Sequence, residues 1–408
     1  MDSIHQHQFD NGLIMLVEPV AGVRSVGLSF LLPAGCCRES SDQQGVAGLL
    51  SEMMYRGAGG LTSREHSESL DILGVERYTD AQTYQMRIGA TLLGDQLDAA
   101  LPLLMNMGIR PTLADEAFEV AREIGLQMHE ALEDDPHQKV ILETKRRHTP
   151  QPFGRSALGV KELLRDKITV DDVRSFFAKQ CVPGGSILSF AGNVDFEHLK
   201  EAVGRIIEGW EGGTKEPTAD PKPERGYHHI TMDQAQTHIA LAYDTVGDSH
   251  PDRMVQNVAI GILSGGMSGR LFTEVREKRG LCYSVYASYA AFRDMGTIYA
   301  YAGTTPERAA ETLSVINQEI GRLAEGVNED EFQRSVIGLK SRLVMQGEST
   351  SARASAIARD QLIVGRPETL DELQAEIESV TLDRVNRFVA EHLAADMTTV
   401  TIGPQPLM

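Results

Sequence analysis

The chain has 408 residues, with 41% apolar and 24% charged side chains, an ordinary globular balance with ample material for a core. At roughly 100–200 residues per domain, that length predicts two or three domains. The formal net charge of −19 excludes a nucleic-acid surface, which needs a basic stripe. It reads as a solubility feature.

The first residues, MDSIHQHQFDNGLIML, carry no basic stretch ahead of an apolar core, so no signal peptide is expected. Strands are predicted over 11–17 and 26–31, the second of them buried. Helices follow over 45–55 and 63–73, then one or two strands over 78–90. Helices over 97–107 and 114–132 complete this block. Strands and helices in blocks, without strict alternation, argue for an α+β fold with helices on one face of a mixed sheet. No window approaches about 18 continuous apolar residues, so no membrane span is expected. Cys36 and Cys37 are adjacent, and no C-x-x-C pair exists. With Cys181 and Cys282 they read as reduced thiols, which implies a cytoplasmic protein.

Residues 212–226 are rich in Gly, Pro and charge and have no apolar period, so they read as a linker between domains 1–211 and 227–408. The two halves resemble each other. Thr169 and Thr381 stand where an N-cap belongs, each ahead of a helix. A strand follows each helix, over 186–192 and 398–403. The shared offset of 212 residues predicts a duplicated domain. His228 and His229 precede a strand and read as surface or packing residues. The long helix predicted over 329–349 carries Leu339, Leu343 and Met345 on its apolar, core-facing side.

The segment Gly45–Gly57, GVAGLLSEMMYRG, resembles the first active helix of the insulinase-like (M16) metallopeptidases, which reads roughly G-[LI]-A-H-F-L-E-H-M-x-F-[KR]-G. Gly45, Ala47, Leu50, Met53, Arg56 and Gly57 match, and Tyr55 stands close to the family's phenylalanine. Pro33-Ala34-Gly35 and Arg38-Glu39 are similar to the segment upstream of that helix. In the second half, residues 265–285 are similar to S-R-L-F-x-x-[IV]-R-E-x-x-G-L-x-Y-S, with Gly269 at the first serine. The turn Ser264–Gly269 lacks the Lys-Ser/Thr of a phosphate loop and reads as a tight helix–helix connection.

The resemblance implies two homologous α+β domains of the processing-peptidase type, each a mixed sheet covered by helices, arranged as a clam shell. It also implies an absent metal site. In an H-x-x-E-H helix two histidines hold zinc and the glutamate takes a proton from bound water. Those positions are Gly48, Ser51 and Glu52 here, and the third ligand position falls at Met128. No zinc or other cofactor is therefore expected in this chain. Unbound water keeps a pKa near about 15.7 instead of about 7. His129 points about 100° away from Met128 around the helix. His66 lies on a separate helix, and His137 and His148 are expected in or near loops.

The second signature retains Arg276 and Tyr283. In the family this pair hydrogen-bonds the substrate carbonyl opposite the zinc. The resemblance thus implies the non-catalytic subunit of a heterodimeric peptidase. Its partner would be a zinc-bearing M16 paralogue with H-x-x-E-H, and its substrate a peptide. The alternative is a structural or interaction protein, a homodimer or a core subunit of a larger assembly, with no proteolytic role. A peptidase acting alone would require stoichiometric zinc.

Overall fold

The computed structural model describes residues 4–219 and 223–407. Asp220, Pro221 and Lys222, inside the expected linker, lie outside the described residues. In chain order the first half holds β1 (His5–Gln8), β2 (Ile14–Pro19), β3 (Ser25–Leu32), α1 (Val46–Met54), α2 (Ser63–Ile72), β4 (Glu76–Ala81) and β5 (Met86–Leu93). Next come α3 (Leu97–Ile109), α4 (Asp115–Glu133), α5 (Pro136–His148), α6 (Lys161–Asp166), α7 (Val170–Gln180), β6 (Ile187–Gly192) and α8 (Phe196–Ile206). The second half holds β7 (Gly226–Thr231), β8 (Thr237–Thr245), α9 (Arg253–Ser264), β9 (Cys282–Phe292) and β10 (Met295–Thr304). It ends with α10 (Ala309–Leu323), α11 (Glu329–Gly347), α12 (Thr350–Val364), α13 (Leu370–Glu378), α14 (Leu382–Glu391) and β11 (Thr398–Gly403).

One sheet runs β1-β2-β6-β3-β5-β4 and the other β7-β11-β8-β10-β9. Leaving β1 aside, the two orders are the same connectivity repeated. In each, one parallel pair (β2 with β6, β11 with β7) sits in an otherwise antiparallel sheet. The duplicated helix–strand pairs are where their local signals place them. Thr169 accepts from Asp172 N–H in a capping box, and Thr381 accepts from Arg384 N–H.

The compact units cross the chain division at one helix each. The first unit contains β1–β6, α1–α4, α6–α8 and also α12 from the second half. The second contains β7–β11, α9–α11, α13, α14 and also α5 from the first half. The strands explain this exchange. Seven of the eight residues of β3 are buried, so both of its faces need cover. The expectation of helices on one face only is therefore corrected. The main core of the first unit lies on one face, among Phe30, Leu50, Met53, Leu104 and Phe190. On the other, Ile357 and Ala358 of α12 pack against Leu16, Leu31 and Ile187. In the second unit, Val140 and Ile141 of α5 pack against Ala240, Val400 and Ile402.

α12 is seated by close backbone approach and by a buried ion pair. A Cβ on Gly27 would lie 2.3 Å from the Thr350 carbonyl oxygen. Arg353 donates to both carboxylate oxygens of Glu18, at 2.8 and 3.0 Å, with both residues buried. Ser189 Oγ also donates to the Ala354 carbonyl at 2.6 Å.

His137 and His148 are the second and last residues of α5, beside the loops as expected. Asp135 caps that helix through Gln138 N–H, and Pro136 opens it. His228 and His229 lie within β7 and not ahead of it. On α11, Phe332 and Ser335 are buried and Leu339 only partly, while Ile337, Val344 and Met345 are exposed. The last turns of α11 thus leave the core, and Met345 does not pack in it. No helix among the described residues is long and apolar enough to cross a membrane.

Candidate functional site

α1 begins at Gly45, whose φ of 113° is left-handed backbone that glycine adopts without strain. The helix N-terminus is capped from a distance by Glu39. Its carboxylate accepts from Gly45 N–H at 3.1 Å and Ala47 N–H at 2.9 Å. Burial pushes the Glu39 carboxyl up to about 8, against the lowering effect of those two bonds and of Arg155. Arg155 in turn donates to the Glu39 carbonyl, which anchors the loop 154–160 over α1.

Gly48, Ser51, Glu52 and Met128 all line one pocket of about 200 Å³. α1 supplies the first three. α4 supplies Met128 together with Ala121 and Gly125, on one face of that helix. Thr79, Asp80 and Ala81 of β4 form another wall, and Ala157, Leu158 and Leu164 close it.

These residues do not fit zinc. A Cβ at position 48 would lie 2.3 Å from the Ala157 carbonyl oxygen, a backbone atom that cannot swing away. The Ser51 hydroxyl points to Thr79 Oγ1 at 3.1 Å, and Thr79 Oγ1 donates to the Ser51 carbonyl at 2.9 Å. Glu52 faces Arg56 one turn on, at 4.0 Å. Met128 offers a thioether and is more than half exposed. His129 is turned aside to the Leu158 carbonyl at 2.9 Å. His66 is buried against the Leu103 carbonyl at 3.1 Å. Among the described residues, no group of three or more His, Cys, Asp or Glu is placed to hold a metal ion.

Arg276 and Tyr283 belong to the second unit. Arg276 lies in the π-helical turn Phe272–Glu277, and Tyr283 lies near the start of β9, the edge strand of its sheet. Leu281 N–H bonds the Val275 carbonyl at 3.0 Å, and Gly280 takes a φ of 61°, so the chain reverses tightly between the two. Glu274 is occupied by Lys278 at 2.6 Å and Arg279 at 2.7 Å. Arg276 is left without a carboxylate partner among the described residues and lies over the Phe272 ring, 5.0 Å from its centroid. Tyr283 is 77% exposed, unusual for a tyrosine inside a strand. The preceding turn, residues 265–269, joins α9 to a helical segment as expected. The signature's Arg270 is structural. It forms a two-pronged pair with Glu331 at 2.8 and 2.9 Å and donates to the Gly326 carbonyl.

Sequence reasoning missed the loop 154–160 and the Tyr55 hydroxyl, which accepts from Thr79 N–H and donates to the Arg77 carbonyl. The signal for the second was present, a hydroxyl-bearing ring where the motif has phenylalanine.

A duplicated α+β chain, with this connectivity and a metal-incompetent helix in its first unit, defines a class of two-domain peptidase homologues. The model described as "Insulinase (Peptidase family M16)" matches residues 16–156, and the model described as "Peptidase M16 inactive domain" matches residues 167–339. The chain belongs to the M16 peptidase family. It is 26% identical to an uncharacterized zinc protease of Bacillus subtilis, over 98% of each chain. It is 28% identical to another of Streptomyces coelicolor, over 98% of this chain and 90% of that one. Two solved structures share the fold. A peptidase M16 inactive domain from Pseudomonas fluorescens has a TM-score of 0.88 and 21% identity, covering 99% of this chain and 98% of that one. A protease from Helicobacter pylori has a TM-score of 0.89 and 18% identity, covering 99% and 100%.

Proposed function

We propose that this chain is the non-catalytic subunit of a heterodimeric M16 metallopeptidase. Its partner is a zinc-bearing M16 paralogue containing H-x-x-E-H, and the pair degrades peptides. The observation that carries the reading is the contrast between the two units. The helix that would hold zinc is chemically and sterically unable to, while Arg276 is unpaired among the described residues and Tyr283 stands exposed beside it in sequence.

The role of the pair follows from its chemistry. A guanidinium and a phenol are both donors, and among the described residues neither side chain makes an internal hydrogen bond or ion pair. Presented to a substrate held by another subunit, they would donate to the carbonyl oxygen as negative charge develops on it. Removing one such donor typically costs about 10²–10³ in rate. Zinc, when bound in the partner, supplies the activated water. This chain supplies orientation and charge stabilisation only. Four buried cysteines, none of them in a disulfide among the described residues, fit a reducing compartment such as the cytoplasm.

The test is kinetic. In the reconstituted pair, Arg276→Ala and Tyr283→Phe should each lower kcat/KM by about 10²–10³, with the loss mainly in kcat. Peptide hydrolysis unchanged by both substitutions rejects the assigned role.

A second reading, an interaction protein without a proteolytic role, is favoured by the exposed apolar residues Ile337, Val344 and Met345 on α11. A stable homodimer in light scattering, with no zinc-bearing M16 chain co-purifying, would select it.

A further inference from the structure

β4 ends the first sheet, so one side of it has no neighbouring strand. Such an edge is a ready template for an added peptide strand. In antiparallel pairing, alternate residues turn their N–H and C=O groups away from the partner strand. On β4 two of these outward groups, the Arg77 carbonyl and the Thr79 N–H, are already taken. The Tyr55 hydroxyl accepts from Thr79 N–H at 2.9 Å and donates to the Arg77 carbonyl at 3.1 Å.

That single hydroxyl reproduces the bonding of one peptide residue. A strand laid parallel to β4 would place one residue's N–H on the Arg77 carbonyl and its C=O on the Thr79 N–H. An antiparallel strand would need both groups as well. The hydroxyl is held firmly. The Arg77 guanidinium lies over the Tyr55 ring, 5.7 Å from its centroid. Burial raises the Tyr55 phenol, which keeps it protonated and able to donate. One turn earlier, Ser51 makes a second stitch through its side chain and carbonyl to Thr79 Oγ1. Both stitches come from departures in the helix that resembles the zinc-binding one. Ser51 stands at the glutamate, and Tyr55 stands at a phenylalanine that has no hydroxyl.

We infer that Tyr55 closes the β4 edge to strand addition, and so determines that an extended peptide is not taken up beside the pocket of this chain's own first unit. Three of the four zinc-motif positions and the closing of the edge then share one source, the segment of α1 and its C-terminal residue Tyr55. The inference rests on reading the chain as a peptide-handling subunit, but its test involves neither partner nor hydrolysis. The Arg276 and Tyr283 assignment therefore stands or falls separately.

The experiment uses the full chain and a fluorescein-labelled nine-residue peptide of alternating Thr and Val, followed by anisotropy and by backbone hydrogen exchange. Wild-type protein should bind weakly and show no added protection over residues 76–81. Tyr55→Phe should bind roughly tenfold more tightly, because two outward groups become free, and the peptide should protect residues 76–81. Adding Thr79→Pro to Tyr55→Phe removes one of those groups at an edge position that tolerates proline, and should abolish the gain. Peptide protection of residues 76–81 in the wild type overturns the inference. So does a folded Tyr55→Phe chain with no gain in binding. The wild-type Thr79 amide gives a check that needs no variant. It should exchange slowly despite its edge position, and fast exchange there overturns the inference on its own.

Discussion

Gly48 shows how much one residue decides. By sequence it is a missing ligand. In three dimensions it is also a point of contact, because its α-carbon lies beneath the Ala157 carbonyl at a distance that leaves no room for a Cβ. Two effects of Gly48→Ala oppose each other. Helix propensity favours alanine by about 1 kcal/mol. Overpacking against an immobile backbone costs about 1–3 kcal/mol. The clash should win, so Gly48→Ala should lower the denaturation midpoint, and Gly48→His should lower it further without creating a zinc site. A raised midpoint for the alanine variant would show that the loop 154–160 yields easily. The missing ligand was legible because a motif is read residue by residue. The obstruction was not, because Ala157 is more than a hundred positions away.

At the scale of elements, strands and capped helices followed local signals. The alternation and apolar run of β3, the Thr169 and Thr381 caps and the paired strands β6 and β11 needed only neighbouring residues to be recognised. The exchange of α5 and α12 did not follow from such signals, since an amphipathic helix carries no record of which sheet it will cover. Glu18 and Arg353 are the chemical mark of that choice, a two-pronged pair buried between β2 and α12. Removing one partner leaves the other charge buried and uncompensated. Arg353→Ala should therefore destabilise the protein by about 3–5 kcal/mol in urea unfolding. The double replacement Glu18→Leu with Arg353→Leu should recover part of that loss. A single-variant cost below about 1 kcal/mol would mean that water reaches the pair.

For the whole molecule the decisive property is that no group of three or more His, Cys, Asp or Glu among the described residues is placed to hold a metal ion, although the relatives in Bacillus subtilis and Streptomyces coelicolor carry the name zinc protease. A structural or catalytic zinc stabilises the folded state by mass action, and a chelator removes that stabilisation. Here, after dialysis against excess zinc and removal of the unbound metal, the purified chain should hold well under one zinc per chain. EDTA should leave its Tm unchanged. Stoichiometric zinc, or a Tm that falls with EDTA, would overturn the reading of Gly48, Ser51, Glu52 and Met128 together.

The sequence by itself determined the family and the repeated α+β halves, and it put Gly48, Ser51, Glu52 and Met128 at the positions of the family's zinc motif, because each is written in short stretches whose spacing a helix or strand preserves. Only the tertiary structure decided which sheet each exchanged helix covers. It alone placed the Ala157 carbonyl over Gly48 and the Tyr55 hydroxyl on the edge of β4. Those are contacts between residues set apart along the chain, and their existence depends on distances of a few ångströms that no linear pattern encodes.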